Sequence, residues 1–468
     1  MPICDVAVIG TGPGGYVAAI RAAQRGARVL AIEKEEIGGV CLNWGCIPTK
    51  TLIHTAELYR KLQHGRELGL DVKGFALDLK KLRARKDDVV KKNKAGIRNL
   101  FKAHGIEVVK GTAAIAAPGK IVVGGDTVNA ASIIIATGSS PAQIPGLETD
   151  GERVITSTEA LDLESIPQRV AVIGAGAVGA EFACLWNAFG AHVTLIEMMP
   201  TILPLEDEEL TKQLAALLKK RGMDVRTGTT VKKIDRGRKH MTLALEGDKA
   251  GEIEADRVLV GIGRRYHSEV VAGTPALGVK LGKRGEILVN ERMETSVPGI
   301  YAIGDVTGRT MLAHGASAEG LVAAANATGG HETMDYRVVP ACTFTSPEVA
   351  SVGLTAAKAR KAGIDVRVGR FSFLASGRAQ SMGETDGLVK IVGDARTGEV
   401  VGVHILGAEA GELIAAAAIA MKLEATVEDI AHTIHTHPTL AETMMEAAED
   451  FYGLGIHTSP RKPKPVTA

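Results

Sequence analysis

Aromatic side chains are scarce in this chain. Phenylalanine, tryptophan and tyrosine make up 3% of 468 residues, with only two tryptophans. That scarcity removes the stacking platforms on which a single-strand nucleic-acid binder depends. Net charge is also nearly absent, +1 from 55 basic and 54 acidic residues. No global field therefore draws the chain to nucleic acid or to an anionic membrane. No apolar run is long enough to span a bilayer. The opening Met1-Pro-Ile-Cys-Asp-Val-Ala-Val-Ile-Gly10 lacks the basic and long apolar regions of a secretion signal. Five cysteines, an odd number, suit a reducing interior. The expectation is a soluble, cytoplasmic protein with neither a membrane nor a nucleic-acid partner.

Glycine is what the chain has in excess: 55 residues, alongside 45% apolar content. Two glycine clusters carry chemistry. Val6-Ala-Val-Ile-Gly10-Thr-Gly12-Pro-Gly14-Gly15 reads as a strand entering a G-x-G-x-x-G turn. A helical stretch from Tyr16 to Arg25 and a strand from Ala27 to Ile32 follow, ending in Glu33. In that order Gly10 makes the turn, Gly12 lets the backbone approach a pyrophosphate, and Gly15 lets helix and strand pack closely. The phosphates meet the helix N-terminus, and Glu33 can accept from a ribose 2′-hydroxyl. The device recurs at Gly174, Gly176 and Gly179, with Glu181 inside the next helix and Glu197 ending the strand His192 to Ile196. A 2′-phosphate would meet like charge at Glu197, and Met198, Met199 and Pro200 offer it no arginine, so the second nucleotide is expected to be NAD. Two fingerprints predict two nucleotides, a flavin and a nicotinamide.

Three apolar runs ending in glycine support this reading: Ser132 to Gly138, Arg257 to Gly263, and Gly299 to Gly304 with Asp305 after it. Asp305 can hydrogen-bond a ribityl or phosphate-bridging hydroxyl. Residues 141–146 and 296–299 read as linkers. The basic stretch 81–102 reads as the solvated face of a helix. The tail Pro460-Arg-Lys-Pro-Lys-Pro465 reads as a mobile end.

Between the fingerprints stands Gly38-Gly-Val-Cys41-Leu-Asn-Trp-Gly-Cys46-Ile-Pro-Thr-Lys50. Two cysteines five positions apart at the start of a helix can close a disulfide within a turn and a half. The helix N-terminus favours thiolate, the form that attacks disulfides. A structural disulfide or two buried thiols is the alternative, and a redox pair is the expectation. From about Pro340 the composition changes to short strands (366–373, 388–392, 400–406) and an alanine-rich helix from Glu412 to Leu423, a separate α+β unit. Near its end, His432-Thr-Ile-His435-Thr-His437-Pro-Thr-Leu-Ala-Glu442 puts His435 and His437 alternately along an extended segment before Pro438. No cysteine ligands lie nearby, so no metal site is expected. A loop histidine five residues before a helical glutamate suits a general base held in one tautomer.

Taken in order, these motifs resemble the dihydrolipoamide dehydrogenase family of flavin-dependent disulfide oxidoreductases over about residues 3–457. The resemblance implies an α/β protein with two Rossmann-like dinucleotide-binding domains plus a C-terminal α+β dimerisation domain. The corresponding bounds are 1–146 for FAD binding, 147–267 for NAD binding, 268–338 for a central return segment and 339–468 for the interface. It also implies a homodimer with shared active sites, acting on lipoyl-bearing proteins such as a 2-oxoacid dehydrogenase E2 chain or a glycine-cleavage H protein. By that resemblance Cys41 is the thiol that meets the dithiol substrate and Cys46 the thiol beside FAD. Lys50 lies near the flavin, Glu181 pairs with it beside the nicotinamide, His437 is the base and Glu442 its partner. Thr137, Gly138, Asp305 and Gly263 join the glycines of both fingerprints in holding the nucleotides. The chain departs from the family pattern at Tyr266-His267, where Pro-Asn is usual. The NADPH-dependent glutathione and mercuric reductases are a rival reading, against which Glu197 stands. A non-catalytic docking scaffold is a second rival, against which Cys41, Cys46 and His437 stand.

Overall fold

The structure is a computed structural model that describes residues 3–459; the basic tail Pro460 to Pro465 lies outside the described residues. The chain divides into two compact units, each discontinuous: residues up to Ser165 join Ile262–Asp335, and Ile166–Gly261 joins the chain from Tyr336 onward.

The first unit begins with β1 (Ile3–Ile9), α1 (Pro13–Gln24) and β2 (Val29–Glu33). Every residue of β2 is buried, as a parallel strand covered on both faces requires. Two helices, α2 (Gly39–Trp44) and α3 (Cys46–Gln63), follow, and then α4 (Leu79–Ala103). Strands β3 (Glu107–Lys110), β4 (Ala113–Ala117), β5 (Lys120–Val123) and β6 (Asp126–Ile135) complete a sheet in the order β3-β2-β1-β6-β5-β4. The strand Ile300–Ala302 adds to β6 in parallel, Ile300 opposite Ile133. Its side chains and those of β1 and β6 share one core with Val270, Leu277 and Ile287. The helix Ala313–Ala327 lies on α1. Glycine permits that approach, since a Cβ on Gly320 would come within 2.6 Å of the Gly14 carbonyl oxygen.

The second unit repeats the device. Parallel strands Asp224–Arg226, His192–Ile196, Arg169–Ile173 and Arg257–Val260 lie in that order, with the helix Ala177–Ala188 following the second glycine turn. Its later part is a five-stranded antiparallel sheet in the order Ala341–Thr343, Glu348–Gly353, Val400–Gly407, Leu388–Asp394, Val366–Ser372. The helices Ala410–Lys422, Val427–His432 and Glu442–Tyr452 enclose one core with that sheet, including Phe371, Phe373, Ile405 and Phe451. Within the unit, the Lys390 ammonium meets both carboxylate oxygens of Asp207 at 2.7 and 2.9 Å with both side chains buried. Among the described residues no helix is long and apolar enough to cross a membrane.

Candidate functional site: two nucleotide cradles, a disulfide and a histidine–glutamate pair

Gly10 ends β1 with φ +96°, and a Cβ there would run into the Ala136 carbonyl. A Cβ on Gly15 would overlap the Gly10 carbonyl oxygen, so both glycines are required by close approach. Gly12 caps α1, and a Cβ on Gly39 would stand 2.7 Å from its Cα, so the cysteine-bearing helix begins against the phosphate turn. Glu33 is buried at the end of β2. Its Oε2 accepts from the Thr11 N–H at 2.9 Å and hydroxyl at 2.6 Å, and its Oε1 from the Glu35 N–H at 2.8 Å. The second cradle matches. A Cβ on Gly179 would overlap the Gly174 carbonyl, Gly176 caps the helix, and Glu197 accepts from the Ala175 N–H at 2.8 Å and the Met199 N–H at 2.9 Å.

Cys41 and Cys46 are bonded, their Cα atoms 4.7 Å apart. The expected single helix start is corrected here: Cys41 lies in α2 and Cys46 opens α3, with Gly45 between them at φ −140°, ψ −114°. A Cβ on Gly45 would lie 3.0 Å from the Cys41 Cα, so glycine lets the chain break and fold the two sulfurs together. Asn43 secures α2 by donating its Nδ2 protons to the carbonyls of Ile37 at 3.1 Å and Gly39 at 2.9 Å. Cys46 stands at the positive end of α3, which lowers the cost of its thiolate. Lys50 lies one turn further along the same helix.

Asp305 is held in a network that joins distant segments. The Ser139 hydroxyl donates to its Oδ2, and Arg264 donates its Nε to the Ser139 hydroxyl at 2.6 Å and an Nη2 proton to the Ser139 carbonyl at 2.8 Å. The buried Glu319 accepts from the Gly304 N–H at 2.6 Å and so sets the turn that presents Asp305. Thr137 donates its hydroxyl to the His267 carbonyl at 2.6 Å, and the Gly138 carbonyl accepts from the His267 N–H at 3.0 Å. The Tyr266-His267 departure therefore acts through backbone pairing, with Tyr266 opposite Ser139 and Arg284 stacked on its ring at 5.5 Å. Burial holds the His267 imidazole below its ordinary pKa. The Gly263 carbonyl accepts from the Ala142 N–H in the same strip.

In the second unit, Glu181 is buried in the helix Ala177–Ala188, and its Oε1 accepts from the Phe344 N–H at 3.0 Å. The His437 Nδ1 lies 2.9 Å from the Glu442 Oε1, while the Glu442 Oε2 accepts from the Thr439 N–H at 2.8 Å. Burial pushes the Glu442 carboxyl up. The Thr439 N–H and the His437 side chain outweigh it, so Glu442 titrates below its ordinary range. An ionised carboxylate only accepts, so Nδ1 carries the proton and Nε2 presents a lone pair on a largely exposed ring. The extended segment expected at His435 and His437 is a loop; the His435 Nδ1 lies 2.7 Å from the Thr433 carbonyl oxygen. Among the described residues no group of three His, Cys, Asp or Glu is arranged to hold a metal ion.

Sequence reasoning missed Thr11, Ser139, Arg264, Glu319 and Thr439. Two left a signal: Thr11 stands inside the first fingerprint, and Glu319 is a lone charge in an alanine–glycine helix.

The model of the pyridine nucleotide-disulphide oxidoreductases matches residues 4–320, and that of their dimerisation domain matches 339–448. The chain belongs to this family. A dihydrolipoyl dehydrogenase of Thermus scotoductus is 50% identical over 98% of this chain and 99% of its own. One of Bacillus subtilis is 41% identical over 97% and 99%. The solved structure of LpdA from Mycobacterium tuberculosis superposes with a TM-score of 0.88 at 28% identity, covering 96% of this chain and 99% of that one. As a pyridine nucleotide-disulphide oxidoreductase the chain uses FAD and NAD. Both cradles fit such groups: each leaves a helix N-terminus open behind a glycine-rich turn, with a buried carboxylate at the end of the neighbouring strand.

Proposed function

We propose that this chain oxidises protein-bound dihydrolipoyl groups through the Cys41–Cys46 disulfide, with His437 as the base. The activity itself, oxidation of dihydrolipoyl groups to the disulfide with reduction of NAD+ to NADH, rests on full-length relatives at 40–50% identity. The bonded pair at the α2–α3 break carries the residue-level reading.

The His437 Nε2 lone pair takes a proton from one substrate thiol, and Glu442 stabilises the imidazolium through Nδ1. The thiolate attacks the Cys41 sulfur, the Cys41–Cys46 bond breaks, and Cys46 leaves as a thiolate steadied by the N-terminus of α3. The second substrate thiol then attacks its own mixed disulfide, closes the cyclic product and releases Cys41 as a thiol. FAD, when bound, supplies the two-electron chemistry that restores the enzyme disulfide and reduces NAD+. The first glycine turn, Glu33, Thr137, Gly138 and Asp305 would hold the flavin, and Lys50, one turn past Cys46, would serve it from α3. The second turn and Glu197 would hold NAD, with Glu181 on the helix that follows that turn. Residues 1–146 and 268–338 serve FAD, 147–267 serve NAD, and 339–468 pair two chains.

The matched dimerisation region supports a homodimer. We place His437 of one chain at Cys41 of the other, the lipoyl group on a carrier protein and the enzyme in the cytoplasm. Cys41→Ser and Cys46→Ser should each abolish NAD+ reduction by dihydrolipoamide while retaining FAD, read by visible absorbance. Turnover by either variant above about 1% of wild type would refute the disulfide route.

A further inference from the structure

Helix α4 holds ten basic and two acidic residues, so with +8 here and +1 overall the rest of the chain carries −7. The excess is patterned. Lys80, Lys91, Arg98 and Lys102 recur at spacings that place them within about 40° of one another around the helix, in a stripe about 33 Å long. All four are exposed, and Lys80, Lys91 and Lys102 enter no ion pair among the described residues. The opposite face is committed to the fold: Leu82, Ile97 and Phe101 are buried, and buried Lys86 pairs with Asp162.

α4 packs on α2 and α3, the helices that carry Cys41 and Cys46. Arg85 Nη1 donates to the Thr51 carbonyl at 3.3 Å, one residue past Lys50. The connection between α3 and α4 folds back through an edge-on contact of Tyr59 and Phe75 at 4.8 Å and leaves Leu68, Leu70 and Phe75 exposed in the segment that leads into α4. Exposed apolar side chains next to a charged rim are what a transient protein contact uses. A second copy of this face would repel it, so the occupant is acidic.

We propose that the Lys80–Lys102 stripe is the landing surface for an acidic face of the protein that carries the dihydrolipoyl arm. It steers that carrier toward the Cys41 end of α2 and α3. The proposal rests on the dihydrolipoyl reading above. Steering of this kind raises association rates by about 10-fold or more and fades as salt screens it.

The test compares a reduced, acidic lipoyl domain with free dihydrolipoamide as substrates of the FAD-loaded enzyme. In Lys80→Glu/Lys91→Glu/Lys102→Glu, kcat/KM for the domain should fall at least about 10-fold at low salt, with the gap closing by about 0.5 M salt. For free dihydrolipoamide it should stay within about twofold of wild type. The milder Lys→Gln triple should fall between, which keeps the test sound if the charge reversal folds poorly. An unchanged value for the domain overturns the proposal, as does an equal loss on both substrates. Dissociation of the variant dimer would mean that the stripe is a subunit contact and would also overturn it. A wild-type enzyme inactive on free dihydrolipoamide would overturn the underlying function as well, so the two failures are distinguishable.

Discussion

Glu442 decides what His437 can do, because a carboxylate at 2.9 Å from Nδ1 turns the other ring nitrogen into an acceptor. Glu442→Gln should keep the fold and lower kcat/KM for dihydrolipoamide by about 100-fold, within the range of a general-base contribution. A loss under about threefold would show that the pair is not catalytic. A second histidine, paired to the same helix from the loop beyond it, differs in kind. His457 donates from Nδ1 to Glu446 at 2.5 Å, and that hydrogen bond, with the Glu446 charge behind it, raises the imidazole above its ordinary pKa. A raised folded-state pKa stabilises the fold fully below about pH 6.5 and ceases to do so as pH climbs through the raised value. His457→Gln should therefore lower Tm more at pH 6 than at pH 9, and equal decrements at both would contradict the pairing.

At the scale of elements, the glycine turns were legible because their demands are local. A positive φ at Gly10 and the Gly10–Gly15 approach lie within six residues, and the strands that end in Glu33 and Glu197 follow directly. Gly179→Ala should weaken NADH binding at least about 10-fold while FAD content holds, since the added Cβ meets the Gly174 carbonyl inside the second unit. Equal loss of both nucleotides would mean general unfolding instead. Other features resisted reading. Gly45 looked like one more small residue in a helix start, yet its backbone turn splits α2 from α3 and brings the sulfurs together. The Asp305 network could not be read from spacing, because Ser139 lies 166 residues from Asp305 and 125 from Arg264. Such pairings depend on where Ile300–Ala302 joins β6, which is a consequence of packing across the whole unit.

Over the whole molecule each unit is assembled from two stretches of chain, and the first nucleotide cradle is joined by Ile300–Ala302 and Asp305 from far along the sequence. The first unit contains the disulfide and Lys50, and the second contains Glu181, His437 and Glu442. The central claim is that substrate oxidation needs Cys41 from one chain and His437 from its partner. Cys41→Ser and His437→Ala subunits, each inactive alone, can be mixed after tagging one variant so that heterodimers are isolated and counted. A heterodimer holds one site with both defects and one intact site. Random exchange makes about half the molecules heterodimers, so about a quarter of wild-type dihydrolipoamide activity should return. Verified heterodimers with no activity would contradict the account.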